Sequence, residues 1–112
     1  DWSGQGLTVC PRIPPQFHNA RIIMLNDNKL RDFPQELAQL NLMQRLRLDS
    51  NSVNEVPAYI NTFSLLQDLK ASENSISALS GNIGRCRFLV NLELHRNQLT
   101  ELPPTLAACT ML

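Results

Sequence analysis

Apolar residues along this chain fall into a five-place pattern that returns every 23 residues. The places are filled by Ile23, Leu25, Leu30, Phe33 and Leu37; by Leu46, Leu48, Val53, Val56 and Ile60; by Leu69, Ala71, Ile76, Leu79 and Ile83; and by Leu92, Leu94, Leu99, Leu102 and Leu106. All twenty are apolar in a chain whose hydrophobic fraction is 43%. Chance would give that with a probability on the order of 10⁻⁷ to 10⁻⁸, so the register is real. One residue separates the first two places of each set, and this alternation predicts a short strand with one face packed and the other shown to solvent. In the last set Leu92 and Leu94 turn inward while Asn91, Glu93 and His95 turn outward. Three residues after the second place stand Asn28, Asn51, Asn74 and Asn97, again at intervals of 23 (97−74, 74−51, 51−28). An amide there can satisfy backbone groups of neighbouring turns that would otherwise lack partners, so these residues are read as a structural ladder with no catalytic part.

Beyond the asparagine the chain must return along the outer side. Pro103 disfavours helix at Leu102 and supports an extended or one-turn return. The period divides the chain into complete units 20–42, 43–65, 66–88 and 89–111, preceded by a partial unit 1–19 and followed by Leu112, which starts another. In the partial unit Gln5 takes the asparagine place, Trp2 the second strand place, Cys10 and Pro11 the Leu-Pro pair and Phe17 the apolar place before the next unit; Ile13 substitutes for the apolar residue that Pro14 displaces. The third complete unit has Ser80 instead of proline, and its return, with Gly81 and Gly84, is expected to be looser. Ala71 puts a small side chain where the other units carry leucine, which predicts a void or a larger neighbour leaning in. No unit buries its apolar face alone, so the units must stack, as a single domain over 1–112. Trp2 at one end and Cys109, Met111 and Leu112 at the other expose apolar surface, which predicts further repeats or a partner protein at both ends, as in a segment of a longer chain.

The order LxxLxLxxNxLxxLPxxL, carried by Leu89, Leu92, Leu94, Asn97, Leu99, Leu102, Pro103 and Leu106, resembles the leucine-rich repeat. That resemblance covers essentially the whole chain and implies an α/β solenoid: a curved, right-handed superhelix with a parallel β-sheet on the concave face and short irregular or 3-10 segments on the convex face. The 23-residue form looks like the intracellular Ras-associated and scaffold class. SGQGLT also resembles the N-terminal cap of extracellular members, but Trp2 stands where their cysteine would be. The family resemblance further implies a non-enzymatic module that binds protein partners on the concave sheet. Two alternatives stand beside it: the recognition arm of a larger signalling enzyme such as a kinase, GTPase or ubiquitin ligase, and a fragment of an extracellular receptor ectodomain.

Transferred residue by residue, the binding face comprises the outward strand positions, and equivalent positions of adjacent strands form columns about 4.8 Å apart. Arg45 beside Asp68, Lys70 beside Glu93 and Glu73 beside Arg96 can pair along the sheet. Arg47 beside Lys70 places like charges together, which an acidic partner group would relieve, and Ile22 with Met24 offers an adaptable apolar contact. The candidate partner-binding set is Ile22, Met24, Arg47, Asp49, Lys70, Glu73, Glu93 and His95.

Charge and composition narrow the partner class. Ten Lys plus Arg balance ten Asp plus Glu, and aromatic residues make up 5%, which leaves neither the electrostatic footprint nor the stacking platform for nucleic acid. No apolar run is long enough for membrane insertion. Catalytic and metal-ligating arrangements are not found: His18 and His95 are far apart in the register, Cys10, Cys86 and Cys109 lack CxxC spacing, and no phosphate loop or nucleophile elbow occurs. His95, Ser72 and Asp49 share one column, but a flat solvated column lacks the enclosed pocket of a triad. No cofactor is implied. Cys86 and Cys109 share an apolar place one unit apart and are read, with Cys10, as free buried thiols, which together with the absence of paired cysteine caps and of an Asn-x-Ser/Thr sequon fits a cytoplasmic setting better than an extracellular one.

Overall fold

Each apolar-x-apolar alternation closes into a three-residue strand, and the period sets which residues meet. In the computed structural model, which describes residues 1–112, the strands β1 (Ile22–Met24), β2 (Arg45–Arg47), β4 (Asp68–Lys70) and β6 (Asn91–Glu93) form one parallel sheet in that order. Ile23 stands opposite Leu46, Leu46 opposite Leu69, and Leu69 opposite Leu92. The segment after Asp1 lengthens the ladder by one turn: Trp2 N donates to Met24 O at 2.9 Å and Gly4 N to Asn26 O at 3.1 Å, matching Leu25 N to Arg47 O and Asp27 N to Asp49 O, both 2.9 Å. Trp2 thus occupies the column of Leu25, Leu48, Ala71 and Leu94, half-buried against the core.

After each strand the chain bends sharply at one residue in the left-handed region. Gly4, Asp27, Ser50, Glu73 and Arg96 hold φ values of 66°, 59°, 56°, 57° and 55°. Four of these five carry a side chain, at a cost of about 1 kcal/mol each. The asparagine that follows offsets it. Asn51 Oδ1 accepts from Leu30 N at 3.0 Å, while its Nδ2 donates to Leu25 O at 3.0 Å and to Leu48 O at 2.9 Å. Asn74 repeats this with Val53 N, Leu48 O and Ala71 O, and Asn97 with Ile76 N, Ala71 O and Leu94 O. Asn28 accepts from both Gln5 N and Leu7 N at 3.0 Å and donates to Trp2 O and Leu25 O, which ties the partial unit to the stack. Each amide therefore bridges its own unit and the one before it.

The return segments are single 3-10 turns at Pro15–Phe17, Gln35–Gln39, Ala58–Thr62, Gly81–Arg85 and Pro104–Ala108. A second ladder, β3 (Glu55–Val56) with β5 (Ala78–Leu79), joins the outer segments of the second and third complete units and no others. Its cause is the serine that replaces proline. Ser80 N donates to Val56 O at 3.0 Å, a bond that Pro34, Pro57 and Pro103 cannot make because proline has no N–H. Ser80 Oγ also accepts from Asn82 N at 3.2 Å and so caps the turn that follows. The looser return expected for this unit is not what forms: loss of the proline knits the unit to its predecessor. On its other side the same unit packs closely against the fourth: a Cβ at Gly84 would overlap the Thr105 carbonyl, and Thr105 Oγ1 donates to Gly81 O at 2.6 Å.

The core is one continuous column of side chains. Leu37, Leu40, Met43, Leu46, Leu48, Ile60, Phe63, Leu66 and Leu69 are fully buried. Several apolar places with a neighbouring unit on one side only fare differently: Leu92, Leu94, Leu99 and Leu106 are half-buried, and Leu102 and Phe17 are exposed at 57% and 55%. The pattern assigned Phe17 and Leu102 to the core; these two lack a second wall, whereas Cys10, Ile13, Leu89 and Cys109 are buried against a single neighbouring unit. The last unit fills the pattern in sequence and only part of the core in space.

Two substitutions separate these forces. Asn74→Ala strands the buried Val53 N–H and takes one of two donors from Leu48 O, Ala71 O and Ser72 O, and is expected to lower stability by about 2 kcal/mol with an unchanged denaturant slope in urea unfolding. Ser80→Pro suits the backbone, since φ is −59°; it removes the Val56 bond and the cap while restricting the unfolded chain, and a net loss of about 1 kcal/mol is expected in the same measurement.

Candidate functional site

Four columns of side chains stand on the solvent face of the sheet. Ile22, Arg45, Asp68 and Asn91 form the first, and Met24, Arg47, Lys70 and Glu93 the second. Asn26, Asp49, Ser72 and His95 form the third, just past the strand ends, and the bend residues Asp27, Ser50, Glu73 and Arg96 the fourth. The structure brings together the eight sequence-derived candidates except at the margins: Glu73 sits at a bend, and Ile22, 57% exposed, lies on the strand nearest the partial unit.

The like-charge pair at Arg47 and Lys70 is neutralised within the sheet. Arg47 reaches along its own unit to Asp49, with Nε at 3.2 Å and a terminal guanidinium nitrogen at 3.1 Å from the same Oδ2. Asp49 is fixed in turn, because its Oδ1 accepts from Ser72 N at 3.1 Å. Lys70 Nζ lies 3.8 Å from Glu93 Oε2. The unrelieved repulsion that the columns suggest is therefore absent, since the register gave only the neighbour across the sheet and not the partner two residues along. Arg45 and Asp68, adjacent in register, form no ion pair; Asp68 Oδ1 instead accepts from Asn91 Nδ2 at 3.0 Å. Glu73 and Arg96 approach to 3.9 Å, both well exposed, an arrangement of little energetic weight.

Asn91 is the pivot that sequence reading missed. Its Nδ2 donates to Asp68 and, at 2.8 Å, to Glu93 Oε2. That bond, ahead of the attraction from Lys70, His95 and Arg47, holds the Glu93 carboxyl below its ordinary range. Two carboxylates thus share one amide. Asn26 is less well served: it is 7% exposed, its Nδ2 donates to Asp27 Oδ2 at 2.7 Å, and its buried Oδ1 has no hydrogen-bond partner.

Ser72, His95 and Asp49 do come together, but not in a catalytic order. Ser72 Oγ and His95 Nδ1 are 2.8 Å apart, with Ser72 3% exposed and His95 on the surface. Asp49 contacts the Ser72 backbone and Arg47, leaving the imidazole without the carboxylate that would orient it and stabilise its charge. The serine hydroxyl is an anchor for His95, which gives the ring a fixed place on the face.

The three thiols are free and buried. Burial, with Glu36 adding repulsion, pushes Cys10 up to about 12; burial, with Cys109 adding to it, pushes Cys86 up to about 11; burial also raises Cys109. Cys86 Sγ lies 3.5 Å from Ile60 O, and Cys109 Sγ lies 3.3 Å from Ile83 O, so both serve as weak donors to carbonyls of the preceding turn.

The fold recurs in solved structures. A leucine-rich repeat protein of Leptospira interrogans matches 97% of this chain with a TM-score of 0.81 and 30% sequence identity. The chain is a leucine-rich repeat protein. An internalin of Listeria monocytogenes shares the fold over 80% of this chain, with a TM-score of 0.71 and 19% identity. This repeat array spans about a third of the first protein (34%) and a quarter of the second (25%). No protein-family model and no curated protein sequence matches it. Shared with these structures is a curved solenoid with its sheet on one face, and no helix in it is long and apolar enough to cross a membrane.

Removing the shared amide tests the pivot. In Asn91→Ala the Glu93 carboxyl should titrate at higher pH than in the parent, as followed by its side-chain carbonyl carbon resonance. The sign follows from linkage: a depressed folded pKa contributes stability above the unfolded value and loses it as pH falls through the folded one. The variant should therefore show a weaker loss of stability on acidification in that window.

Proposed function

We propose that this leucine-rich repeat array is a non-enzymatic protein-interaction module whose partner docks on the concave sheet, over Ile22, Met24, Arg47, Asp49, Lys70, Glu73, Glu93 and His95. The observation that supports it is the preorganisation of polar side chains on a backbone held in register. Arg47 is tied to Asp49, Asp49 to the Ser72 amide, His95 to the Ser72 hydroxyl, and Glu93 to Asn91. Side chains already restrained lose less entropy when a partner covers them. The face then offers charged groups of both signs beside one apolar corner at Ile22 and Met24, a pattern suited to a mixed polar and apolar protein surface.

An intracellular scaffold or signalling role belongs to the same reading, supported by three buried thiols that act as hydrogen-bond donors in the core. Further repeats, or a partner, would seal the half-buried sites of the last unit.

Site-specific photocrosslinking in the native host tests the docking face. A photoreactive residue at position 70 or 95 should crosslink to a partner polypeptide, whereas one at position 39 or 62, on the return turns, should give at most a tenth of that yield. Lys70→Ala combined with His95→Ala should cut the yield from position 93 at least fivefold while leaving thermal unfolding unchanged. Equal yields from sheet and return turns would move the binding site off the sheet.

A further inference from the structure

A groove of about 300 Å³ runs between the outer segments of the first and second complete units, on a different side of the solenoid from the sheet face. Its walls include Val9, Phe33 and Tyr59, and its rim carries Asp32, Glu36 and Glu55. It lies where the second ladder stops. Were that ladder continued toward the first unit, residue 57 would donate to Phe33 O as Ser80 donates to Val56 O; Pro57 has no N–H, and the two segments stay apart. Tyr59 compensates, with its hydroxyl donating to Phe33 O at 2.9 Å and its ring set edge-on to Phe33 at 5.8 Å between centroids. Asn54 N–H, whose counterpart Ser77 N bonds Asn54 O at 3.1 Å, is left without a protein acceptor at the groove.

The electrostatics point one way. None of Asp32, Glu36 and Glu55 takes part in an ion pair, although the chain as a whole is neutral. Arg12 lies beyond Glu36 in an adjoining hollow and does not reach ion-pair distance. Burial first, and then Glu36, Asp32 and Glu55 in that order, push the Tyr59 hydroxyl up to about 12, which places the field of all three carboxylates on the aromatic wall. An aromatic wall under a negative rim favours a cation held against the ring. A free backbone N–H beside it suits an extended chain that presents carbonyls. All of these residues lie between positions 9 and 59, so both walls come from units whose neighbours are already in place.

We propose that this groove is a second docking slot, one that takes an extended segment of a partner protein carrying arginine or lysine side chains between small apolar ones. It is independent of the sheet-face reading, and both surfaces can be occupied together. Tyr59, backed by the buried Phe33, forms the seat for the cationic side chain's stem, Asp32, Glu36 and Glu55 meet its charge, and Asn54 N–H takes a peptide carbonyl.

The probe is a fluorescein-labelled octapeptide of alternating arginine and alanine, with the matching glutamate and alanine peptide as control, titrated into the 112-residue chain. Saturable one-to-one binding of the arginine peptide is expected, with amide shifts centred on Phe33, Asn54 and Tyr59 and little response to the control. The combined change Asp32→Asn, Glu36→Gln and Glu55→Gln should weaken it at least tenfold, and Glu55→Gln alone about threefold; the single variant carries the test should the triple lose the native amide spectrum. Lys70→Ala with His95→Ala on the sheet face should leave the affinity unchanged, which separates this slot from the sheet-face site. The idea fails on equal binding of the glutamate peptide, on an affinity that the groove variants do not change, or on shifts that map to the sheet. Stoichiometric calcium binding that displaces the peptide would also overturn it, in favour of a metal site.

Discussion

Everything in this solenoid depends on one unglamorous requirement: backbone groups at the bend after each strand must find partners inside a narrow stack. Four asparagine amides meet it, each accepting from the backbone of the preceding unit and donating to carbonyls of both units. Because each amide spans a junction, the ladder couples every unit to the one before it, and stability becomes a sum over interfaces. The same amides make a left-handed bend tolerable at Asp27, Ser50, Glu73 and Arg96, where the side chains would otherwise favour another conformation. Gly4 holds the equivalent place in the partial unit, where Gln5 replaces asparagine and the bend is made without a side chain's penalty.

On the outer side the deciding atom is a single N–H. Proline at positions 34, 57 and 103 fixes the entry to its 3-10 turn and makes no backbone bond to the preceding segment; serine at position 80 supplies both a donor to Val56 O and a cap for its own turn. One residue type thus controls whether the outer backbones of adjacent units pair. The open grooves beside Pro57 and Pro103, and the closed ladder between β3 and β5, follow from that choice. Sequence irregularity in the third unit tightens the structure instead of loosening it.

The sheet face shows how far charge columns can mislead. Spacing of 23 residues gives the neighbour across the sheet, and from it Arg47 and Lys70 look repulsive. Two decisive partners lie outside the column: Asp49, two residues further along the unit of Arg47, and Asn91, which gives its amide to Asp68 in its own column and to Glu93 in the next. A face that satisfies itself in this way is stiff, and a partner gains from that stiffness more than from any uncompensated charge.

The linear chain alone determined the strand register, the asparagine ladder and the positions that face solvent, because a fixed period forces identical neighbours and a two-residue alternation forces sidedness. It also held the signal for the outer ladder, in the presence of serine where other units carry proline, though the consequence emerges only when Val56 O is seen within reach. Tertiary structure decided the rest. Burial of Phe17 and Leu102 turned on whether a second wall stands beside them, and the partners of Arg47, Asp68 and Glu93 turned on rotamers that reach across columns and along strands. Periodicity specifies which residues are near; hydrogen-bond direction and side-chain reach, which have no period, specify which of them bind.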